Sequence, residues 1–152
     1  MGSESAAYLL STKELLKISK EKNETIRVLL VEDYDLLRMA ITDIFKQNAS
    51  YTVHQAANGV EAIPLLAQYN IDVAIINWEM PEMNGLELSD YMRERPRYAK
   101  IPIVLLSARE TTEEIARTRG LQGSIQKPFD PNELCQIVQD VLNDAKTTEE
   151  TP

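Results

Sequence analysis

The chain has 152 residues, of which 24 are Asp or Glu and 16 are Lys or Arg, so its net charge is −8. This length predicts one globular domain with short tails, and the acidic balance disfavours a nucleic-acid surface, because phosphate binding needs clustered Lys and Arg. Its single cysteine, Cys135, excludes an internal disulfide. No apolar run approaches the roughly 18 residues of a membrane span, and the N-terminus lacks a signal-peptide core, so we expect a cytoplasmic protein without membrane contact.

Residues 1–24 are predicted to form an N-terminal extension with at most one short helix. Ser11 and Glu14 have the spacing of a capping box at the start of that helix. Three apolar residues that follow are spaced to line one of its faces: Leu15, Leu16 and Ile18.

From Ile26 onwards the chain alternates strand-like and helix-like segments, which predicts a domain over residues 25–144. Strands are predicted at Ile26–Val31, Tyr51–Ala56, Val73–Ile76, Ile101–Leu106 and Ser124–Gln126. Helices are predicted after them at Leu36–Phe45, around Ala62–Leu66, and at Leu86–Glu94, Thr111–Arg119 and Asn132–Leu142. The polar residues 145–152 are expected to be a disordered tail.

Five such units with nearly continuous apolar strands predict an α/β fold, in which helices cover both faces of a parallel sheet. In sheets of this kind, ligands bind beyond the carboxyl ends of the strands. The sequence places polar residues at those ends. Glu32 and Asp33 follow the first strand, Asn77 the third, Ser107 the fourth and Lys127 the fifth.

An acidic pair at a strand end suits Mg²⁺, which takes few protein carboxylates and keeps several of its waters. Each residue alone has a simpler explanation, because an acidic pair after a strand is usually a solvated helix start. Their joint spacing is more specific. Asp33 and Asn77 are 44 positions apart, Asn77 and Ser107 are 30 apart, and Lys127 is followed by Pro128 and Phe129. Asn77 also precedes a Met-Pro-x-Met-x-Gly turn.

This pattern resembles the receiver domain of two-component response regulators, over about Ile26 to Leu142. The resemblance implies a flavodoxin-like, doubly wound (βα)₅ three-layer sandwich with strand order 2-1-3-4-5. It also implies a part in phosphorelay signal transduction rather than enzyme activity. The implied partners are a histidine kinase or phosphotransfer protein and a downstream effector domain or protein, and a homodimer is left open.

The resemblance further implies roles for individual residues. Position 77 is the phosphoacceptor position, and Ser107 and Lys127 would bind the phosphoryl oxygens. Mg²⁺ would be bound by Asp33, residue 77 and the backbone carbonyl of Glu79, with Glu32 helping through water. Ala108 would leave room for the phosphoryl group, the Lys127–Pro128 peptide bond would be cis, and Gly85 would permit the turn after the site.

Three features depart from the family pattern. Asn77 stands where the family has an aspartate, and a neutral amide has no nucleophilic oxygen that could carry phosphate, so the domain would be locked unphosphorylated and bind Mg²⁺ more weakly. Only 20 positions separate Ser107 from Lys127, whereas the family usually has 22. Ser124 occupies a position where most receivers carry Tyr or Phe, which puts switching in question.

Two origins explain Asn77 equally well: natural loss of the aspartate, and a deliberate Asp-to-Asn substitution. A second functional hypothesis is a pseudo-receiver that acts as a protein–protein interaction module without phosphorylation. An enzyme on a flavodoxin-like fold is disfavoured, because the first strand is not followed by a Gly-rich phosphate loop and no Ser-His-Asp or Cys-His arrangement is visible.

Overall fold

The computed structural model describes residues 11–14 and 25–150. Its strands are β1 (Ile26–Val31), β2 (Tyr51–Ala56), β3 (Val73–Asn77), β4 (Ile103–Ser107) and β5 (Gly123–Gln126). Its helices are α1 (Asp35–Lys46), α2 (Gly59–Gln68), α3 (Gly85–Arg93), α4 (Thr112–Thr118) and α5 (Pro131–Glu150).

The five strands form one parallel sheet in the order β2-β1-β3-β4-β5, as predicted. Residues Val28–Val31 and Val73–Ile76 are fully buried, because helices cover both faces of the sheet. On one face, α1 and α5 pack over Val28, Leu30 and their neighbours. On the other, α2, α3 and α4 pack over alternate strand residues such as Leu29 and Ile76. This is the predicted three-layer α/β sandwich.

The capping box predicted in the N-terminal extension is present. The backbone N–H of Glu14 donates to Ser11 Oγ at 3.1 Å, and the backbone N–H of Ser11 donates to Glu14 Oε2 at 2.8 Å. The apolar residues assigned to the same helix, Leu15, Leu16 and Ile18, lie outside the described residues.

The expectation of a disordered tail from residue 145 is wrong for residues 145–150, which continue α5. The hydroxyl groups of Thr147 and Thr148 donate to the carbonyls of Asn143 and Asp144, one turn earlier. Ala145 is partly buried and lines a cavity against Ile71 and Pro102 at the amino-terminal end of the sheet. The polar composition of this segment did not indicate that the start of it packs against the surface of the domain.

The shortened segment between Ser107 and Lys127 contains a helix of seven residues, α4, after a loop of four. Gly120 ends this region with φ +69°, a left-handed conformation that glycine adopts without strain. After Gly120 the chain enters β5, which pairs in parallel with β4.

Candidate functional site

The polar residues predicted at the strand ends lie together at the carboxyl edge of the sheet. Asn77 and Ser107 are the last residues of β3 and β4, while Glu32 and Lys127 directly follow β1 and β5. Because β1, β3 and β4 are neighbours in the sheet, their ends converge near the topological switch point.

The side-chain amide of Asn77 forms hydrogen bonds with residues that follow β1, β3 and β5. Its Nδ2 donates to Asp33 Oδ1 at 2.9 Å and to the backbone carbonyl of Glu79 at 2.8 Å. Its Oδ1 accepts from Lys127 Nζ at 3.1 Å. Asn77 is only 5% exposed, and its amide uses both its donor and its acceptor capacity on protein groups.

Glu32 is more deeply buried than any other acidic residue that the structure describes, at 1% exposed. Its Oε1 accepts from Lys127 Nζ at 2.8 Å. Its Oε2 has no hydrogen-bond partner among the described residues. Burial raises the pKa of this carboxyl above its usual value, and the hydrogen bond and charge of Lys127 oppose the shift.

A second network, not predicted from the sequence, lies beside Asn77. The Glu79 carboxylate accepts from Ser107 Oγ at 3.1 Å and from Arg109 Nε at 2.6 Å. The Arg109 guanidinium lies over the Trp78 ring, 4.6 Å from its centroid. The network joins the loop after β3 to the loop after β4. Arg109 lies two positions beyond a strand-end serine, which was the only signal for it in the sequence.

Gly85 fixes the position of Asn77 through close packing. A Cβ atom at residue 85 would lie 2.2 Å from the backbone oxygen of Asn77, a distance that no side chain can tolerate. The Gly85 N–H also donates to the Trp78 carbonyl at 2.8 Å. The resemblance implied that Gly85 was needed for the turn; the structure gives the reason as lack of space. The Lys127–Pro128 bond is cis, as predicted.

The side chains do not fit a directly bound cation as they are arranged. Within the described ranges, no three carboxylate, thiol or imidazole groups gather closely enough to hold a metal ion. The two predicted oxygen ligands that do converge, Asp33 Oδ1 and the Glu79 carbonyl, both accept from the nitrogen of Asn77.

An apolar groove of about 510 Å³ adjoins this site, between α1 and the segment from Lys127 to Pro131. Leu37, Ile41 and Ile44 of α1 form one wall. Several apolar side chains of the same region are more than half exposed: Tyr34, Leu36 and Met39.

Comparisons with known proteins agree with this geometry. Residues 28–139 match the family model for the response regulator receiver domain. The chain belongs to the response regulator receiver domain family. It is 34% identical over 120 residues to a chemotaxis protein CheY homolog of Campylobacter jejuni, covering 77% of this chain and 92% of that protein.

Two further relatives support the assignment. A probable transcriptional regulator, ycf29, of Pyropia yezoensis is 36% identical over 118 residues. The matched region covers 76% of this chain and 53% of the length of that protein. The solved structure of the chemotaxis response regulator CheY4 of Vibrio cholerae has a TM-score of 0.70 and 32% identity, over 77% of this chain and 98% of that one.

Receiver domains are modules of two-component signalling that interact with kinases and effectors. The part of the chain that the structure describes contains no helix with both the length and the apolarity needed to cross a membrane.

Proposed function

We propose that this receiver domain is held in an unphosphorylated state, because Asn77 replaces the phosphoacceptor aspartate. The observation that supports the proposal is the position of Asn77 at the end of β3, within hydrogen-bond distance of both Asp33 and Lys127. A carboxylate there could attack a phosphoryl group, whereas an amide has no comparable nucleophilic oxygen. The chain is therefore a signalling module, not an enzyme.

The surrounding residues are of the types that the family roles require. Ser107 and Lys127 would bind phosphoryl oxygens if residue 77 were an aspartate, and Lys127 would do so as a charged donor. Asp33 and the carbonyl of Glu79 would then bind Mg²⁺ together with residue 77, and Glu32 would help through water. The missing anionic oxygen at residue 77 would by itself weaken cation binding.

The partners follow from the same roles. A histidine kinase or phosphotransfer protein would dock beside the site, and a downstream effector would read the domain's surface. The Asn77 protein can signal only through a partner whose binding does not require phosphoryl transfer to residue 77.

Labelling with a small phosphodonor tests the proposal. After incubation with acetyl phosphate and Mg²⁺, the intact mass of the Asn77 protein should not change, whereas Asn77→Asp should gain one hydroxylamine-labile phosphoryl group. Asn143→Asp is a matched control, because it adds the same charge on an exposed part of α5. A labile adduct on Asp33 in the Asn77 protein would contradict the proposal.

The alternative function is a pseudo-receiver that binds a partner without phosphorylation. It is favoured by the apolar groove, which Tyr34 lines, and by the exposed Leu36 and Met39 on α1. The two functions differ in what Asn77→Asp does. If the aspartate restores labelling, the phosphorylation site is otherwise intact. If it does not, the site has diverged beyond residue 77 and the interaction module is the better description.

A further inference from the structure

The orientation of the Asn77 amide is determined by its neighbours. Lysine is a donor only, so Lys127 Nζ requires the amide oxygen on its side. Asp33 Oδ1 and the Glu79 carbonyl are acceptors, so they require the amide nitrogen. Turning the amide over would lose all three hydrogen bonds and place donor against donor and oxygen against oxygen.

The amide nitrogen therefore lies between the two oxygens that the family would use for its cation. We infer that the nitrogen of Asn77 replaces the divalent cation, so that this receiver keeps its site assembled without a metal ion. The inference rests on the proposed function and goes beyond it. In the proposed function, cation binding is weaker because a negative charge is missing at residue 77. In the inference, the Asn77 amide donates to the oxygens that would otherwise bind the cation.

The charges around Asn77 support this inference. Glu32 is paired with Lys127, and the Glu79 carboxylate is paired with Arg109. Asp33, the third carboxylate, accepts from the amide of Asn77. Each of the three thus has a donor within the protein. The like-charge repulsion that would otherwise favour a bound cation is correspondingly reduced.

A variant that removes the amide without adding charge separates the two explanations. Asn77→Ala is as neutral as Asn77, but it leaves Asp33 Oδ1 and the Glu79 carbonyl free. If only the missing charge weakens binding, Asn77→Ala binds Mg²⁺ no better than the Asn77 protein. If the amide nitrogen blocks the site, Asn77→Ala binds Mg²⁺ roughly tenfold more tightly, the equivalent of one hydrogen bond to a charged group.

Mg²⁺ titrations of four proteins provide the measurement. The readouts are fluorescence of the single tryptophan, Trp78, and the shift in melting temperature between chelator and Mg²⁺. We expect no Mg²⁺ response in the Asn77 protein, a response in Asn77→Ala and a larger one in Asn77→Asp. Asn143→Asp measures non-specific binding to an acidic surface. Equal or stronger binding by the Asn77 protein than by Asn77→Ala would overturn the inference.

A measurement on the unmodified protein decides the question even if Asn77→Ala does not fold. The side-chain NH₂ resonances of Asn77 can be assigned in an ¹⁵N spectrum as the pair that disappears in Asn77→Asp. Both should keep their chemical shifts when Mg²⁺ is added, and a Mg²⁺-dependent change would contradict the inference. Phosphoryl labelling of the Asn77 protein would overturn the proposed function, whereas Mg²⁺ binding without labelling would overturn only the inference.

Discussion

Two ion pairs lie at the carboxyl edge of the sheet, and they differ in exposure. In the Glu32–Lys127 pair the side chains are 1% and 21% exposed, whereas in the Glu79–Arg109 pair they are 47% and 57% exposed. Water screens the charges of the second pair, whereas the first pair is largely desolvated, so its two charges depend on one another. The comparison shows that two ion pairs with similar N···O distances can contribute differently to the site. One pair is a buried part of the site, and the other is a solvent-exposed contact between two loops.

The largest effect on stability is expected from Lys127→Met, which leaves the buried Glu32 carboxylate without the positive charge of its lysine partner. Removing one partner of a buried pair costs about 3–5 kcal/mol of unfolding free energy, because the remaining charge has no compensation. Urea denaturation at neutral pH measures the loss. The double variant Lys127→Met with Glu32→Gln should recover part of it. A single variant as stable as the starting protein would show that Glu32 is not a buried charge.

A smaller effect is expected on the pH dependence of stability, when the starting protein is compared with Glu32→Gln. Burial raises the pKa of Glu32 above its usual 4.5, so the folded state keeps a proton that the unfolded chain has already released. Just above pH 4.5 the folded state therefore binds more protons, and stability due to Glu32 falls as the pH rises. Acidification from pH 7 towards pH 5 should stabilise the starting protein relative to Glu32→Gln. The opposite trend in urea denaturation would mean that Lys127 outweighs burial.

The smallest effect is expected from Arg109→Gln, which removes the exposed pair. Such pairs contribute roughly 0.2–1 kcal/mol, and salt screens them. Thermal melts should show a small loss that disappears at high salt, while Trp78 emission should change because the guanidinium no longer lies over its ring. Arg117→Gln, on an α4 residue that forms none of these contacts, is the control. A loss as large as that of Lys127→Met would mean that the two pairs are not distinct in role.

The sequence predicted the residues whose positions depend on the strands. Asn77 and Ser107 could be placed because apolar strand runs end at them, Lys127 through its spacing and the Pro128 that follows it, and parallel strands bring their ends to one edge. Glu79 was predicted only through its backbone carbonyl. Its side chain binds Arg109, because the loops after β3 and β4 approach one another, and no periodic pattern records the approach of two loops.

The course of α5 was the other failure, and its cause was similar. Residues 145–150 are polar enough to suggest disorder, but they continue the helix, and Ala145 at their start lies partly buried against the end of the sheet. The orientation of the Asn77 amide depends on the local carbonyl of Glu79 and on two side chains that are far away in the chain, those of Asp33 and Lys127. In each case the missing information was a tertiary contact.

The close approach of Gly85 to Asn77 affects how this domain can change by mutation. Codons for Asp and Asn differ by a single base, so the chemistry at residue 77 can be lost or regained in one step. Any larger residue at position 85 would collide with the backbone oxygen of residue 77 and displace the strand end itself. The residue type at position 77 is thus easily exchanged, whereas its backbone position is not, and the backbone that holds Asn77 would hold an aspartate in the same place.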